Sequence, residues 1–381
     1  MHFVCIECVK DHNLQAFIND NSISGTCGLC GNTNTKVVDY ETNEFFQLVK
    51  SVIRFNFSEW EYNRHMGGDE LEDLFYGESN TFFDESRATS QQAYDNFVLS
   101  VTQGEVYEDY DKGVSLFAGY SNGGIQNMPL ASLRSSLDHD IMTLSSRLKT
   151  ENYFDLESEL KAIINNYTGV ATTKYSKDDA FYRARIGVED QKRNYDAGFE
   201  TELHFAPYSN GNIGAPPPQY ASSGRINRPG VSFMYCATDK YTAISEVRPH
   251  PGDLVSTGKF ILRREVRLFD LSKSLLGQFG FSDESLDRFI PFHTLTILIN
   301  KVVPPSERQH YSITQLIADC IRQLGFDGIA FKSTVGNGKN LVFFNSSILD
   351  FCSDENEVTL IEQVKYDYTS VPLIEKDGFY I

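Results

Sequence analysis

Residues 234–247 read MYCATDKYTAISEV. The run SFMYCA from residue 232 is apolar and rich in strand formers, so it reads as a β-strand. Asp239 then supplies a helix start, and the spacing predicts a helix over 239–248. Working outward, FYRARI at 181, TGKFILRREVRLFDL at 257, FDGIAF at 326 and NLVFFN at 340 read as further strands separated by turns, with a second helix over 312–324. Short β-rich runs interrupted by helices give an α+β reading for the second half of the chain. The loop SNGNIGAPPPQYASSG, residues 209–224, combines Pro216 to Pro218 with glycines and is long for a simple connector, so it is expected to cover a pocket.

Upstream of residue 175 the texture changes. ETNEFFQLVKSVIRF places Phe45, Leu48, Val49 and Val52 at helical spacing, and DLESELKAIINNY does the same with Leu156, Leu160, Ile163 and Ile164. Further helices are expected over 84–101 and 131–148, with an extended loop over 102–130. At the N-terminus Cys5-x2-Cys8 and Cys27-x2-Cys30 form two knuckle pairs. Such pairs bring four thiolates to the corners of one tetrahedron, which predicts a structural zinc ribbon with no open position for water. The expected organisation is a zinc ribbon over 1–40, a helical domain over 41–175, a mixed α/β domain over 176–350 and an acidic tail over 351–381.

Charge narrows the function classes. With 34 Lys and Arg against 52 Asp and Glu, the formal net charge is −18, which disfavours a uniform grip on a phosphate backbone. Residues 201–350 depart from this trend with 15 basic and 13 acidic residues, so an anionic small molecule is expected to bind there. The sequence shows no apolar run of membrane-spanning length and no basic-then-apolar leader, so the expected address is the cytoplasm with no membrane partner. Arg134 and His139, spaced Arg-x4-His, offer a cation and a general acid/base on neighbouring turns of one helix. That spacing suits a metal-independent ribonuclease, although a solvated helical face has the same pattern.

The series FYRAR, GRINRPG, MYCATDKYTAISEV, FDGIAFKS and NLVFFN, spread over residues 178–350, resembles the RES domain. The resemblance implies an ADP-ribosyltransferase-like fold, NAD as the substrate and a toxin held by a protein antitoxin. The region ahead of it is similar to HEPN-like helical extensions. Carried over by position, the resemblance implies Arg183 and Arg225 as the two arginines, Tyr235 as the tyrosine, Glu246 as the glutamate and Ser333 as the serine, with Asn340 lining the pocket. Catalysis would rest on Glu246, Arg183 and Ser333, and NAD binding on Arg183, Arg225, Tyr235 and Asn340.

The chemistry of those residue types agrees with the resemblance. Guanidinium groups match phosphate oxygens, an aromatic face suits a cationic ring, and a carboxylate stabilises an oxocarbenium-like centre. Alternatives stand beside each assignment. Arg185 competes with Arg183, and Ser346 and Ser347 compete with Ser333. Tyr235 also fits a core position, and Glu246 a solvated helix face. The expected function is cleavage of the nicotinamide bond of NAD, in a toxin–antitoxin or phage-defence setting. ADP-ribose would pass to water, to phosphate or to a macromolecular acceptor. The competing functions are the ribonuclease and a non-enzymatic module that senses NAD or ADP-ribose.

Overall fold

Strands β1 (Phe3–Cys5), β2 (Ile23–Gly25) and β3 (Thr35–Asp39) form an antiparallel sheet in the order β1-β3-β2. The computed structural model describes residues 2–57, 71–77, 80–102, 106, 132–196, 199–301, 311–365 and 368. The chain divides into two compact units, one of residues 1–138 with 274–293 and 381, the other of 139–273 with 294–380.

In the first unit the helix His12–Asn21 starts at Asp11, whose Oδ1 accepts hydrogen bonds from the amides of Asn13 at 2.8 Å and Leu14 at 3.1 Å. The helix Asn43–Asn56 starts at Thr42 and buries Phe45, Leu48, Val49 and Val52, the stripe its spacing predicts. Phe45, Phe75, Phe82, Phe83 and Tyr94 fill the core, and the Tyr94 hydroxyl donates to the Phe75 carbonyl at 2.7 Å. The helix expected over 84–101 begins later, at Gln91. Asp84 instead folds Glu85–Arg87 into a tight turn by accepting from the Ser86 amide, and Ser90 caps the helix through the Ala93 amide. The loop expected over 102–130 falls almost wholly outside the described residues.

The helix expected over 131–148 also starts late, at His139. The hydroxyls of Ser135 and Ser136 turn back onto the Ser132 carbonyl and hold a turn where helix was expected. His139–Arg147 and Tyr153–Asn165 belong to the second unit, although the sequence reading groups them with the preceding helical domain. Leu156, Leu160 and Ile164 are buried, and Lys161 reaches Gln323 at 2.9 Å on the helix Ser312–Gln323.

The second unit is built on eight strands: β4 (Thr172–Tyr175), β5 (Ala180–Ile186), β8 (Met234–Ala237), β9 (Leu254–Leu262), β10 (Val266–Asp270), β11 (Gly328–Lys332), β12 (Lys339–Phe343) and β13 (Leu349–Leu360). β6 (Asp190–Asp196) and β7 (Phe199–Ala206) pair separately as a hairpin. The order in the large sheet is β13-β9-β5-β8-β12-β11-β10-β4. The neighbours pair antiparallel except β10 and β11. Helices Asp283–Asn300 and Ser312–Gln323 lie in the long connection that a parallel pair requires.

One junction is weak. β5 pairs with β9 from Ala180 to Ile186, whereas β5 and β8 meet only at Tyr182 and Ala237. The sheet therefore parts where these two strands would otherwise run together. Phe181, Met234, Cys236, Phe260 and Leu341 pack in one core, and Ala184, Ala237, Ala243 and Val255 in another. The segment expected as an acidic tail from 351 begins as part of β13, paired with β9 on both sides of an irregularity between Cys352 and Glu357. Its acidic side chains find cations, Glu355 on Lys259 and Glu357 on Lys240, each at 2.8 Å. Acidic composition alone does not distinguish such an edge strand from a solvated tail.

Candidate active site

Asp239, two residues beyond β8, starts the helix Lys240–Glu246, accepting at 2.8 Å from both the amide and the hydroxyl of Thr242. Burial opposes ionisation here, but these bonds and the Thr238 hydroxyl hold the Asp239 carboxyl below the usual range. The loop from β11 to β12 sits against this helix start. A Cβ at Gly338 would come within 2.5 Å of the Thr238 hydroxyl and 2.7 Å of the Thr242 hydroxyl, so only glycine allows the approach. The same loop begins with Ser333, whose Oγ accepts from the amides of Val335 at 3.2 Å and Gly336 at 3.0 Å.

This arrangement fixes Glu246 at the end of the helix. Its Oε1 accepts from the Ser333 hydroxyl at 2.7 Å and from the Asn340 amide group at 2.7 Å. Among the described residues no donor is found on Oε2. The carboxylate is exposed while Asn340 is 9% exposed, so a buried amide orients a solvent-facing acid. Asn340 pairs with Ala237 and Val342 with Tyr235. Tyr235 is therefore one strand over from Asn340, about 5 Å, and two residues along, about 7 Å, which puts the two positions roughly 8 Å apart.

A cavity of about 230 Å³ lies at the parting of β5 and β8, lined by Arg183, Pro216, Tyr220, Asn227, Phe233 and Tyr235, among others. The loop 209–224 supplies part of its wall, as its length and composition suggest. Arg183 NH1 donates to the Tyr235 carbonyl at 2.8 Å, and its Nε is buried with no hydrogen-bond partner. Burial presses the Arg183 pKa down, and an arginine remains charged regardless. Arg183 therefore brings a positive charge to the cavity wall, while its Nε–H is sealed from solvent. Arg185 is exposed and lies over the Tyr208 ring at 4.5 Å, away from the cavity lining.

Tyr235 lines the cavity, but its hydroxyl is already used: it donates to Asn227 Oδ1 at 2.7 Å and accepts from the Ile226 amide at 3.3 Å. Burial pushes its pKa up to about 12. The ring is thus a fixed wall, not a proton donor. Arg225 is placed differently from the expectation. Its Nη1 donates to the Ile299 carbonyl at 2.9 Å, and it is not among the residues lining the cavity, although its charge, like that of Arg183, acts on the Tyr235 hydroxyl. Asn227 was not anticipated from the sequence. Its amide group donates to the carbonyls of Ser222, Arg228 and Val231 at 2.9–3.1 Å, which knits the loop Gly224–Gly230 into one shape. The only sequence signal was an asparagine inside a Gly- and Pro-bearing turn.

The four N-terminal cysteines converge. Their sulfurs lie within 4.8 Å of one another, with Cys5–Cys8 at 3.6 Å, Cys5–Cys30 at 3.7 Å and Cys8–Cys27 at 3.9 Å. A tetrahedral zinc with Zn–S bonds near 2.3 Å sets its sulfurs about 3.8 Å apart, so the set fits that ion. Burial raises the Cys5 thiol to about 11, and the contact with Cys27 raises Cys8. Four thiolates at this spacing call for a cation. Arg134 lies in a turn of the first unit, whereas His139 opens a helix of the second. The one-helix arrangement expected of that pair is therefore not formed.

Residues 193–368 match the RES domain family. The match covers less than half of the chain. It begins beyond Arg183, so that assignment rests on the resemblance and on the position of β5 beside the cavity. No curated protein matches the sequence. Among solved structures, one similar chain comes from the M. tuberculosis MbcT–MbcA toxin–antitoxin complex, at 12% identity and a TM-score of 0.30. The similarity covers 52% of this chain and 91% of that one, and a score of this size establishes no common fold. Among the described residues, no helix is long and apolar enough to cross a membrane.

Proposed function

We propose that the second unit is an NAD-consuming enzyme that breaks the bond between nicotinamide and ribose. The observation that carries this reading is the carboxylate of Glu246, oriented through one oxygen by Ser333 and Asn340 and open at the other. As the glycosidic bond breaks, its electron pair leaves with neutral nicotinamide and the ribose C1′ becomes cationic. Glu246 stabilises that charge, and Oε2 accepts a ribose hydroxyl. Arg183 supplies the positive charge for a phosphate oxygen, while the rings of Tyr235 and Phe233 exclude water from one side. The cavity is smaller than a typical site for a whole ligand, so it takes one part of the dinucleotide and leaves the rest over the Glu246 surface.

The ADP-ribosyl cation is then captured by water or phosphate, with loss of a proton, or by a nucleophile on a macromolecule. Depletion of NAD is the favoured outcome, which makes the chain a toxin requiring a protein antitoxin in the cytoplasm. The zinc centre over residues 1–40 and the HEPN-like helices after it serve as a scaffold for that partner or for the acceptor. Induced expression of the full chain tests this reading. Cellular NAD should fall before growth stops, and the Glu246→Gln variant should leave both unchanged. Arrest without loss of NAD, or arrest by E246Q, would contradict it. Adenylate-labelled NAD added to a lysate then identifies the acceptor by the fraction in which the label appears.

A further inference from the structure

Asp319 gathers three side chains behind the cavity loop. Its Oδ2 accepts the hydrogen bond of the Tyr153 hydroxyl and lies 2.9 Å from the buried Arg228 Nη2, a charge pair whose angles do not make a hydrogen bond, and its Oδ1 lies 3.7 Å from Arg322 Nε. The Arg228 guanidinium also covers the Tyr153 ring, with Cζ 3.3 Å from the ring centroid. Arg228 and Asp319 are 35% and 21% exposed, so the pair is partly shielded from the screening that weakens surface pairs.

Arg228 belongs to the loop Gly224–Gly230. The helix Ser312–Gln323, which carries Asp319, grips this loop at two more points. The Thr314 hydroxyl donates to the Arg225 carbonyl, and Gln315 Nε2 donates to the carbonyls of Gly224 at 2.8 Å and Asn227 at 3.0 Å. Asn227 in turn receives the Tyr235 hydroxyl. A continuous path of contacts therefore runs from Tyr153, on a helix well ahead of the family match, to the wall of the cavity.

We infer that Tyr153 and Asp319 are positioning residues for the ligand cavity. They anchor Arg228 so that the loop holds Asn227, and Asn227 holds the Tyr235 ring beside Arg183. A loop rich in Gly and Pro would otherwise sample many shapes, and ligand binding would have to select one of them. The inference rests on the NAD reading only for the identity of the ligand.

The test uses the full chain with D319N, with Y153F, which removes a single hydroxyl, and with R228K, which keeps the ion pair but loses the guanidinium over the ring. Hydrogen exchange reports the amides of Gly224, Ile226, Gly230 and Val231, whose acceptors are the Asn227 carbonyl, the Tyr235 hydroxyl and the Ala221 and Arg228 carbonyls. In D319N and Y153F these four amides should exchange about 10-fold faster while the amides of Lys240–Glu246 hold their rates. KM for NAD should rise about 10-fold with kcat within about 2-fold, and R228K should fall between these variants and wild type. Unchanged exchange in both variants would overturn the inference, as would faster exchange spread evenly over the whole unit. If wild type turns over no NAD, the NAD reading fails on its own and the exchange pattern still decides the anchor.

Discussion

Glu246 shows what a residue-level reading can and cannot reach. It is exposed on a short helix, where a solvated glutamate is the ordinary case, and what sets it apart is the pair of donors on its Oε1. Replacement by Gln should reduce nicotinamide release by at least about 10³-fold, and Ser333→Ala and Asn340→Ala by about 10²-fold each, measured as initial rates. Equal rates in S333A and wild type would remove the serine from the site. Glu246 lies 87 residues from Ser333 and 94 from Asn340, and the family resemblance was the signal that grouped them. Arg225 was not legible in its placement, because the side a loop arginine takes follows its backbone, and here its Nη1 meets the Ile299 carbonyl. Asn227 was illegible for a related reason. An asparagine in a turn looks like a turn former whether or not its side chain also holds a tyrosine.

Six of the ten described strands, β4 to β13, fall in the runs at 181, 232, 257, 326 and 340, which are β-rich and bounded by turn residues, although the run at 257 holds both β9 and β10; β4, β6, β7 and β13 were not legible. Element starts were less legible than those runs, since Ser135 and Ser136 draw their hydroxyls onto the Ser132 carbonyl and hold back the helix that His139 opens. The parting of β5 and β8 was not legible at all, since it depends on pairing register and not on composition. Gly338→Ala would press a methyl group onto the Asp239, Thr238 and Thr242 side chains, and should cost about 1–3 kcal/mol by denaturant melts together with most of the activity. Asp239→Asn keeps an acceptor for the Thr242 amide but loses the one that serves the Thr238 and Thr242 hydroxyls, and should cost about 1 kcal/mol. Because the folded carboxyl titrates below its unfolded value near 3.9, its contribution is present above that pH and fades as pH falls through the folded value. The difference in melting temperature between wild type and D239N should therefore close in acid, and a constant gap down to pH 2 would contradict the cap.

At the scale of the molecule, the chain divides into two compact units, and the sequence placed the change of texture near residue 175 whereas the second unit starts at His139. The difference arises because the stripe of Tyr153–Asn165 is amphipathic in either setting, and periodicity does not say which partner a helix packs against. The cysteine spacing was more informative, since four thiols within 4.8 Å are what two CxxC knuckles predict. Purified protein should carry one zinc per chain, and a strong chelator or Cys8→Ser should lower the melting temperature. A metal-free protein of undiminished stability would rule out a structural ion. The central claim is tested most directly by following free nicotinamide when the purified full chain meets NAD without any partner protein, with E246Q in parallel. The account predicts steady release by wild type and essentially none by E246Q. Absence of release from the folded wild type, or equal release from both proteins, would contradict it.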